Sequence, residues 1–184
     1  MKKLVVLNGP AGCGKDTLAD ILVTSGFFDE KLSFKSPMFD VARGLLSKDD
    51  FDKFIKNYDD RSFKESPQSF LGGKTPREFM IWISEVVMKP VFGNDVFGKR
   101  LCSKIVDGFY VSSDGGFASE IEPLLSDGVD VMIVRLHRDG FDFSGDSRSY
   151  LYNTGAIEVD LKLDSGDIDG SLNKLIEVVN STFC

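Results

Sequence analysis

Leu4-Val5-Val6-Leu7-Asn8-Gly9-Pro10-Ala11-Gly12-Cys13-Gly14-Lys15-Asp16-Thr17 is the stretch from which the fold follows. Leu4 to Leu7 is a continuous apolar run with two β-branched residues, stopped by Gly9 and Pro10. A strand covered on both faces of a parallel sheet has this pattern. Gly9 to Lys15 then shows the spacing GxxxxGK, and Leu18, Ile21 and Leu22 recur at helical spacing until Gly26. Strand, glycine loop and helix in this order form the setting in which a loop cradles phosphate. The glycines let backbone N–H groups face inward, the helix N-terminus adds positive potential, and Lys15 can reach β- and γ-phosphates. Gly9, Ala11, Gly12, Cys13, Gly14, Lys15, Asp16 and Thr17 are the expected lining of that site.

Position 16 departs from the usual motif, which has a Ser or Thr magnesium ligand there. Asp16 offers a hard carboxylate oxygen instead, so it is the candidate Mg²⁺ ligand, directly or through a water. The competing reading is a favourable charge at a helix N-terminus, worth ~0.3–1 kcal/mol. Thr17 is the candidate contact to an α-phosphate, or else a local cap.

Working outward, a short strand is expected near Lys31 to Phe34, and Pro37 opens a helix carrying Phe39, Val41 and Leu45. Residues 48–75 mix Lys, Asp, Phe and Ser without a stable period and read as a mobile insertion. Thr75-Pro76-Arg77-Glu78 reads as an N-cap with proline in the first turn of a helix running to about Met88, and Val96 to Val106 as a further helix. Phe109 to Ser112 and Val129 to Arg135 read as buried strands flanking a helix from Phe117 to Leu125, Ile157 to Leu163 as a last strand, and Leu172 to Val179 as a closing helix. The alternation implies a three-layer α/β/α fold of the P-loop kinase-like kind, with a central parallel sheet and right-handed crossovers. It fits a single domain over 1–184. The polar, Gly/Ser-rich residues 138–155 are the candidate mobile lid.

Composition limits the function. Lys plus Arg number 22 against 29 Asp plus Glu, a net charge of −7, which argues against a dedicated nucleic-acid partner. Cys13, Cys102 and Cys184 are odd in number and show no CxxC spacing, so neither a zinc cluster nor a disulfide framework is indicated. The apolar run after Met1-Lys2-Lys3 is too short for a signal peptide, and no stretch approaches the ~20 apolar residues that span a membrane. The expectation is a cytoplasmic protein with no membrane partner.

Gly14-Lys15-Asp16-Thr17 resembles the phosphate loop of phage deoxynucleoside monophosphate kinases, and later segments match in the same order. Ser36-Pro37-Met38-Phe39-Asp40 is similar to the family's Gly-Pro-Ile-Lys-Asp. Arg77 with Ile83-Ser84-Glu85 resembles its arginine and a later Gly-Thr-acid triplet. Ser113-Asp114 with Glu120, and Arg138-Asp139-Gly140, resemble its strand-end aspartate and its Arg-Pro-Gly. The resemblance implies transfer of the γ-phosphoryl of ATP, with Mg²⁺, to a (deoxy)nucleoside monophosphate, in the host cytoplasm if the chain is phage-encoded; a homodimer is compatible with it. It also implies an adenine-binding loop near Asp164-Ser165-Gly166. Two family cations are missing, since their positions fall on Phe39 and Gly116.

A kinase that joins two polyanions needs cations around the acceptor and the migrating group. Lys35, Arg43, Arg77, Arg138 and Arg148 are the candidates, Arg138 with Lys15 being the expected catalytic pair; Arg135 belongs equally to its strand end. Asp114 falls at the carboxyl edge of the sheet, where it either holds a ligand or starts a turn. Trp82 is a candidate base-stacking ring and Glu85 a candidate substrate contact, each with a packing or surface role as the alternative. His137 has no partner cluster. Two rival functions stay open: phosphorylation of another small phosphorylated metabolite, and a non-catalytic nucleotide-binding switch.

Overall fold

The structure, a computed structural model, describes residues 1–144, 146 and 148–183. Cys184, and Gly145 and Ser147 of the candidate lid, lie outside the described residues. The chain divides into two compact units, Met1–Phe34 with Phe97–Cys184, and Lys35–Val96.

The first unit holds the sheet. Its strands are β1 (Lys2–Asn8), β2 (Glu30–Lys31), β3 (Gly108–Ser112), β4 (Asp130–Arg138) and β5 (Ile157–Leu163), with helices α1 (Lys15–Thr24), α8 (Ala118–Ser126) and α9 (Ile168–Phe183). The spatial order is β2-β3-β1-β4-β5 and every pairing is parallel. Leu4, Val5, Val6 and Leu7 are wholly buried, as a central strand covered on both faces requires. On one face Val5, Leu7, Met132, Val134 and Leu136 pack with Leu18 and Leu22 of α1 and Leu175 and Val179 of α9. The alternate residues of β4 face the layer to which α8 contributes the buried Ile121 and Leu124. Three layers result, as the alternation of elements implies.

The chain leaves β1 toward β2 on one side, and β4 toward β5 on the other. A crevice therefore opens above the carboxyl ends of β1 and β4, where ligands of open α/β sheets bind. Several boundaries differ from expectation. β4 runs on to Arg138, because pairing with β5 extends to Leu163 and carries Leu136, His137 and Arg138 into the ladder. β2 is only two residues long, and α9 is longer at both ends than its apolar spacing suggests.

The second unit is helical: α2 (Ser36–Leu45), α3 (Lys48–Asn57), α4 (Arg61–Lys64), α5 (Pro76–Trp82) and α6 (Lys89–Phe92); α7 (Val96–Cys102) follows. Residues 48–75, expected as an irregular insertion, thus contain two helices and a 3₁₀ turn at Ser69–Leu71. Ser47 and Asp60 accept from Asp50 N and Phe63 N and cap α3 and α4. Phe51, Phe54 and Tyr58 fall on one face of α3, and the edge-on ring pairs Phe39–Tyr58 (5.0 Å) and Phe54–Phe79 (5.9 Å) join α2, α3 and α5. Thr75 is the expected N-cap of α5, and Glu78 completes a capping box with it. The helix then widens into a π-helical stretch, Ile83–Met88, before α6. Pro90 cannot donate to the carbonyl one turn back, a local cause for the departure from α geometry.

Candidate functional site

The loop from Gly9 to Gly14 joins β1 to α1 by a backbone that only glycine fits at three points. A Cβ at Gly9 would sit 2.9 Å from both Cys13 Sγ and the Leu136 carbonyl oxygen, so the loop lies flush against β4. Gly12 and Gly14 have φ of 78° and 110°, in the left-handed region that side chains disfavour. Gly14 is the N-cap of α1 and has no side chain to satisfy the helix's first N–H groups. Those donors suit an incoming anion. Ala11 is exposed at the loop tip and Cys13 is a buried free thiol beneath it.

Lys15 is buried at 7% exposure, and its ammonium donates to the carbonyls of Gly9 and Pro10, both at 2.7 Å. The loop thereby holds its own cation at the place where phosphate oxygens would compete for it. Asp16 accepts from Lys31 (2.8 Å) and from the hydroxyl of Ser113 (2.7 Å). Partial desolvation by its neighbours opposes ionisation of this carboxyl, but those two hydrogen bonds and the charges of Lys31 and Lys15 outweigh it and hold its pKa below the usual value. Asp16 and Thr17 are hard oxygen donors in the first turn of α1. They suit a magnesium ion that keeps most of its ligands from water and phosphate. Among the described residues no group of three or more His, Cys, Asp or Glu side chains forms a metal cage.

Arg138 leaves the end of β4 beside this loop. Its guanidinium lies 4.0 Å from where a Gly14 Cβ would be, stacks over Phe141 (4.9 Å), and reaches Ser165 Oγ at 3.5 Å. A cleft of about 160 Å³ runs from there, lined by Cys13, Gly14, Thr17, Arg138, Asp164 and Gly166 among others. The structure therefore brings the phosphate loop, Arg138 and the Asp164-Ser165-Gly166 turn to one place. Phe141 passes 3.2 Å from a Cβ built on Gly12, so the start of the 138–155 segment covers the loop.

Asp114 is engaged within the first unit: Ser33 Oγ (2.5 Å), Phe34 N (3.0 Å) and Ser112 Oγ (2.9 Å) all donate to it. Its carboxylate ties the chain after β2 to the end of β3. Arg148 forms a two-pronged pair with Asp146, at 3.0 and 2.6 Å, which raises its pKa. Its stem lies on bare Gly116, 2.5 Å from where a Cβ would stand. The space of a side chain at 116 is thus filled by Arg148, which is why glycine is required there.

Arg135 is structural. It is 6% exposed, pairs with Asp160 through two nitrogens and with Glu158 through a third contact, and donates to the Leu151 carbonyl. His137 joins the same carboxylate at 2.6 Å.

The remaining predicted residues lie in the second unit. Lys35 stands at the N-cap of α2, and Arg43 in its last turn stacks over Phe51 at 5.1 Å. Arg77 is exposed and paired with Glu65 at 2.7 Å. Trp82 stacks on Phe79, 5.9 Å between centroids and 20° from parallel. Glu85 accepts from Lys89 and Ser84; burial opposes its ionisation, and these two bonds override it and lower its pKa. Phe39 packs within the aromatic cluster, which explains why a lysine is absent there.

Three residues of the first unit were not singled out as site residues by the sequence. Ser113 directly follows β3 at the carboxyl edge of the sheet, the edge at which ligands of open α/β sheets bind. Lys31 reaches α1 only through the register of β2, which leaves no sequence signal. Asn8, 1% exposed, accepts from Leu151 N and donates to the Ser149 carbonyl, rooting the return of the 138–155 segment on β1. A polar residue closing an apolar strand was its signal.

No family model matches the chain, and no curated protein matches it. Among solved structures it is similar to an APS kinase of Mycobacterium tuberculosis (12% identity, TM-score 0.47, 97% of each chain). It is also similar to a gluconokinase of Sinorhizobium meliloti (14%, TM-score 0.41, 100% of this chain and 98% of that one). A shikimate kinase of Bacteroides thetaiotaomicron follows (11%, TM-score 0.36, 98% of this chain and 77% of that one).

Proposed function

We propose that the chain is an ATP-dependent P-loop kinase that moves the γ-phosphoryl of ATP to a (deoxy)nucleoside monophosphate. The observation that carries the kinase reading is the loop geometry. An uncapped helix N-terminus, two left-handed glycines and a buried Lys15 ammonium resting on loop carbonyls face the crevice between β1 and β4. Nucleoside monophosphate as acceptor is supported by the ordered resemblance of Ser36-Pro37, Arg77, Glu85 and Arg138-Asp139-Gly140, and by the turn at 164–166 sharing a cleft with the loop.

In this reading the loop amides and Lys15 bind the donor phosphates, and Arg138 neutralises charge on the migrating group. Asp16 and Thr17 serve the metal side, where Mg²⁺ would supply electrostatic neutralisation of the phosphate oxygens. Arg77 takes the acceptor phosphate in exchange for Glu65, with Lys35, Arg43, Trp82 and Glu85 as further acceptor contacts. Asp114 and Arg148 act by holding the loops that carry them. An acceptor phosphate is already a nucleophile, so positioning and electrostatics carry the rate.

A second reading, a kinase of another small phosphorylated metabolite, is favoured by one observation. Phe39 is locked in an aromatic cluster and Gly116 is covered by Arg148, so two cations of the nucleotide-kinase pattern have no side chain here. ADP release measured across the common ribo- and deoxyribonucleoside monophosphates and a set of sugar and hydroxy-acid phosphates separates the two. Turnover confined to nucleotides supports the proposal, and turnover confined to the other set replaces it.

A further inference from the structure

Asp16 is the residue that breaks the usual loop motif, and its two hydrogen bonds converge on one oxygen. Lys31 Nζ (2.8 Å) and Ser113 Oγ (2.7 Å) both reach Oδ1. Oδ2 takes part in neither, and the side chain is 75% exposed. The two donors differ in kind. Ser113 is a neutral hydroxyl, 4% exposed, held at the carboxyl edge of the sheet by the strand that precedes it. Lys31 is a full positive charge, and it also holds Asp20 at 2.9 Å. Asp16 and Asp20 stand one turn apart on α1, so the ammonium has a second acceptor on the same helix face.

A neutral donor orients a carboxylate without opposing a cation that approaches the other oxygen. A cationic donor orients it too, but repels that cation. We infer that Ser113 is a positioning residue that presents Oδ2 of Asp16 to a divalent ion, and that Lys31 is a resident counter-cation which the ion displaces onto Asp20. The inference rests on the nucleotide reading above and adds to it a pair of residues with opposite effects on the same metal. Lys31 would keep the carboxylate compensated while no nucleotide is bound, and its pairing with Asp20 would keep it compensated afterwards.

The test uses Mn²⁺ as a paramagnetic probe with a non-hydrolysable ATP analogue on the full chain, free Mn²⁺ being read by electron paramagnetic resonance. Binding of the analogue in excess chelator is measured in parallel. Ser113→Ala should weaken Mn²⁺ binding about fivefold and Lys31→Met should tighten it about threefold, the scale of one hydrogen bond to a charge and one partly exposed ion pair. Metal-free analogue binding should change less than Mn²⁺ binding in both. In an Asp16→Asn background the Lys31→Met gain should disappear. If Ser113→Ala does not fold, Ser113→Cys, which keeps the size and weakens the donor, should shift binding in the same direction. Equal shifts of one sign in both variants, or no shift in either, overturn the inference while wild-type Mn²⁺ binding leaves the nucleotide reading standing. A folded wild-type chain that binds neither probe nor analogue overturns both.

Discussion

Replacing Lys15 by Met removes an ammonium that is 7% exposed and donates to two loop carbonyls at 2.7 Å. The two consequences differ in size. For stability, the lost bonds are charge-assisted, but the cost of burying the ammonium disappears with them and the Met stem keeps most of the packing. The net loss should be about 1–2 kcal/mol, or about 2–8 °C in Tm for a chain of this length. For catalysis, the charge that rests on Gly9 and Pro10 would otherwise move onto the donor phosphates. Loss of one preorganised donor at a developing charge costs about 10²–10³ in rate. Single-turnover phosphoryl transfer at saturating Mg·ATP, with thermal unfolding followed by circular dichroism, reads both. A folded Lys15→Met variant with near-wild-type turnover would refute the donor-site assignment. A variant already unfolded at room temperature would refute the energetic balance drawn for the loop.

Asp16→Asn keeps the shape and loses the charge, so the Mg²⁺ concentration for half-maximal activity should rise severalfold, read from a metal titration at fixed nucleotide. Arg77→Ala should mainly raise the acceptor KM and Arg138→Ala mainly lower kcat, since one charge is used in the ground state and the other as phosphoryl moves; steady-state kinetics separate them. Arg135→Ala should destabilise the chain by about 1–3 kcal/mol in urea unfolding without a specific effect on KM, because it leaves Glu158 to Thr154 and Asp160 to His137 and takes this donor from the Leu151 carbonyl. The hydrogen bond from Arg135, then that from His137, holds the Asp160 carboxyl far below its usual range. Its stabilising effect is therefore full above the unfolded pKa of about 3.9 and is lost as pH falls toward the folded value. Asp160→Asn should be less stable than wild type near neutrality, and the gap should shrink in urea unfolding as pH drops below about 4.

Much of this was legible in the sequence because the signals were local. An apolar run ended by Gly9 and Pro10, followed by Gly12, Gly14 and Lys15, fixes strand, loop and helix within a few residues of one another. Thr75 and Pro76 mark the start of α5 in the same way. What escaped depended on distant partners. The aromatic face of α3 was hidden in a stretch whose polar residues dominate, and it becomes a face only against Phe39 and Phe79. The extension of β4 to Arg138 follows from pairing with β5, more than twenty residues on. Around the phosphate loop, Asp16 and Arg138 are candidates by position, whereas Lys31 is not, since its contact with Asp16 exists only through the register of a two-residue strand. Arg135 and Arg148 are candidate substrate-side cations by sequence, and their carboxylate partners, Asp160 and Asp146, are defined only by the fold.

The proposed phosphoryl transfer to a nucleoside monophosphate is read directly by transfer of label from γ-³²P-ATP. The purified chain is incubated with Mg²⁺ and each acceptor in turn, and the products are resolved by chromatography. Label should appear in a nucleoside diphosphate, only when the matching monophosphate is present, and should vanish with Lys15→Met. Label released as inorganic phosphate at a rate indifferent to every acceptor, or transferred only to a non-nucleotide phosphate, would contradict it.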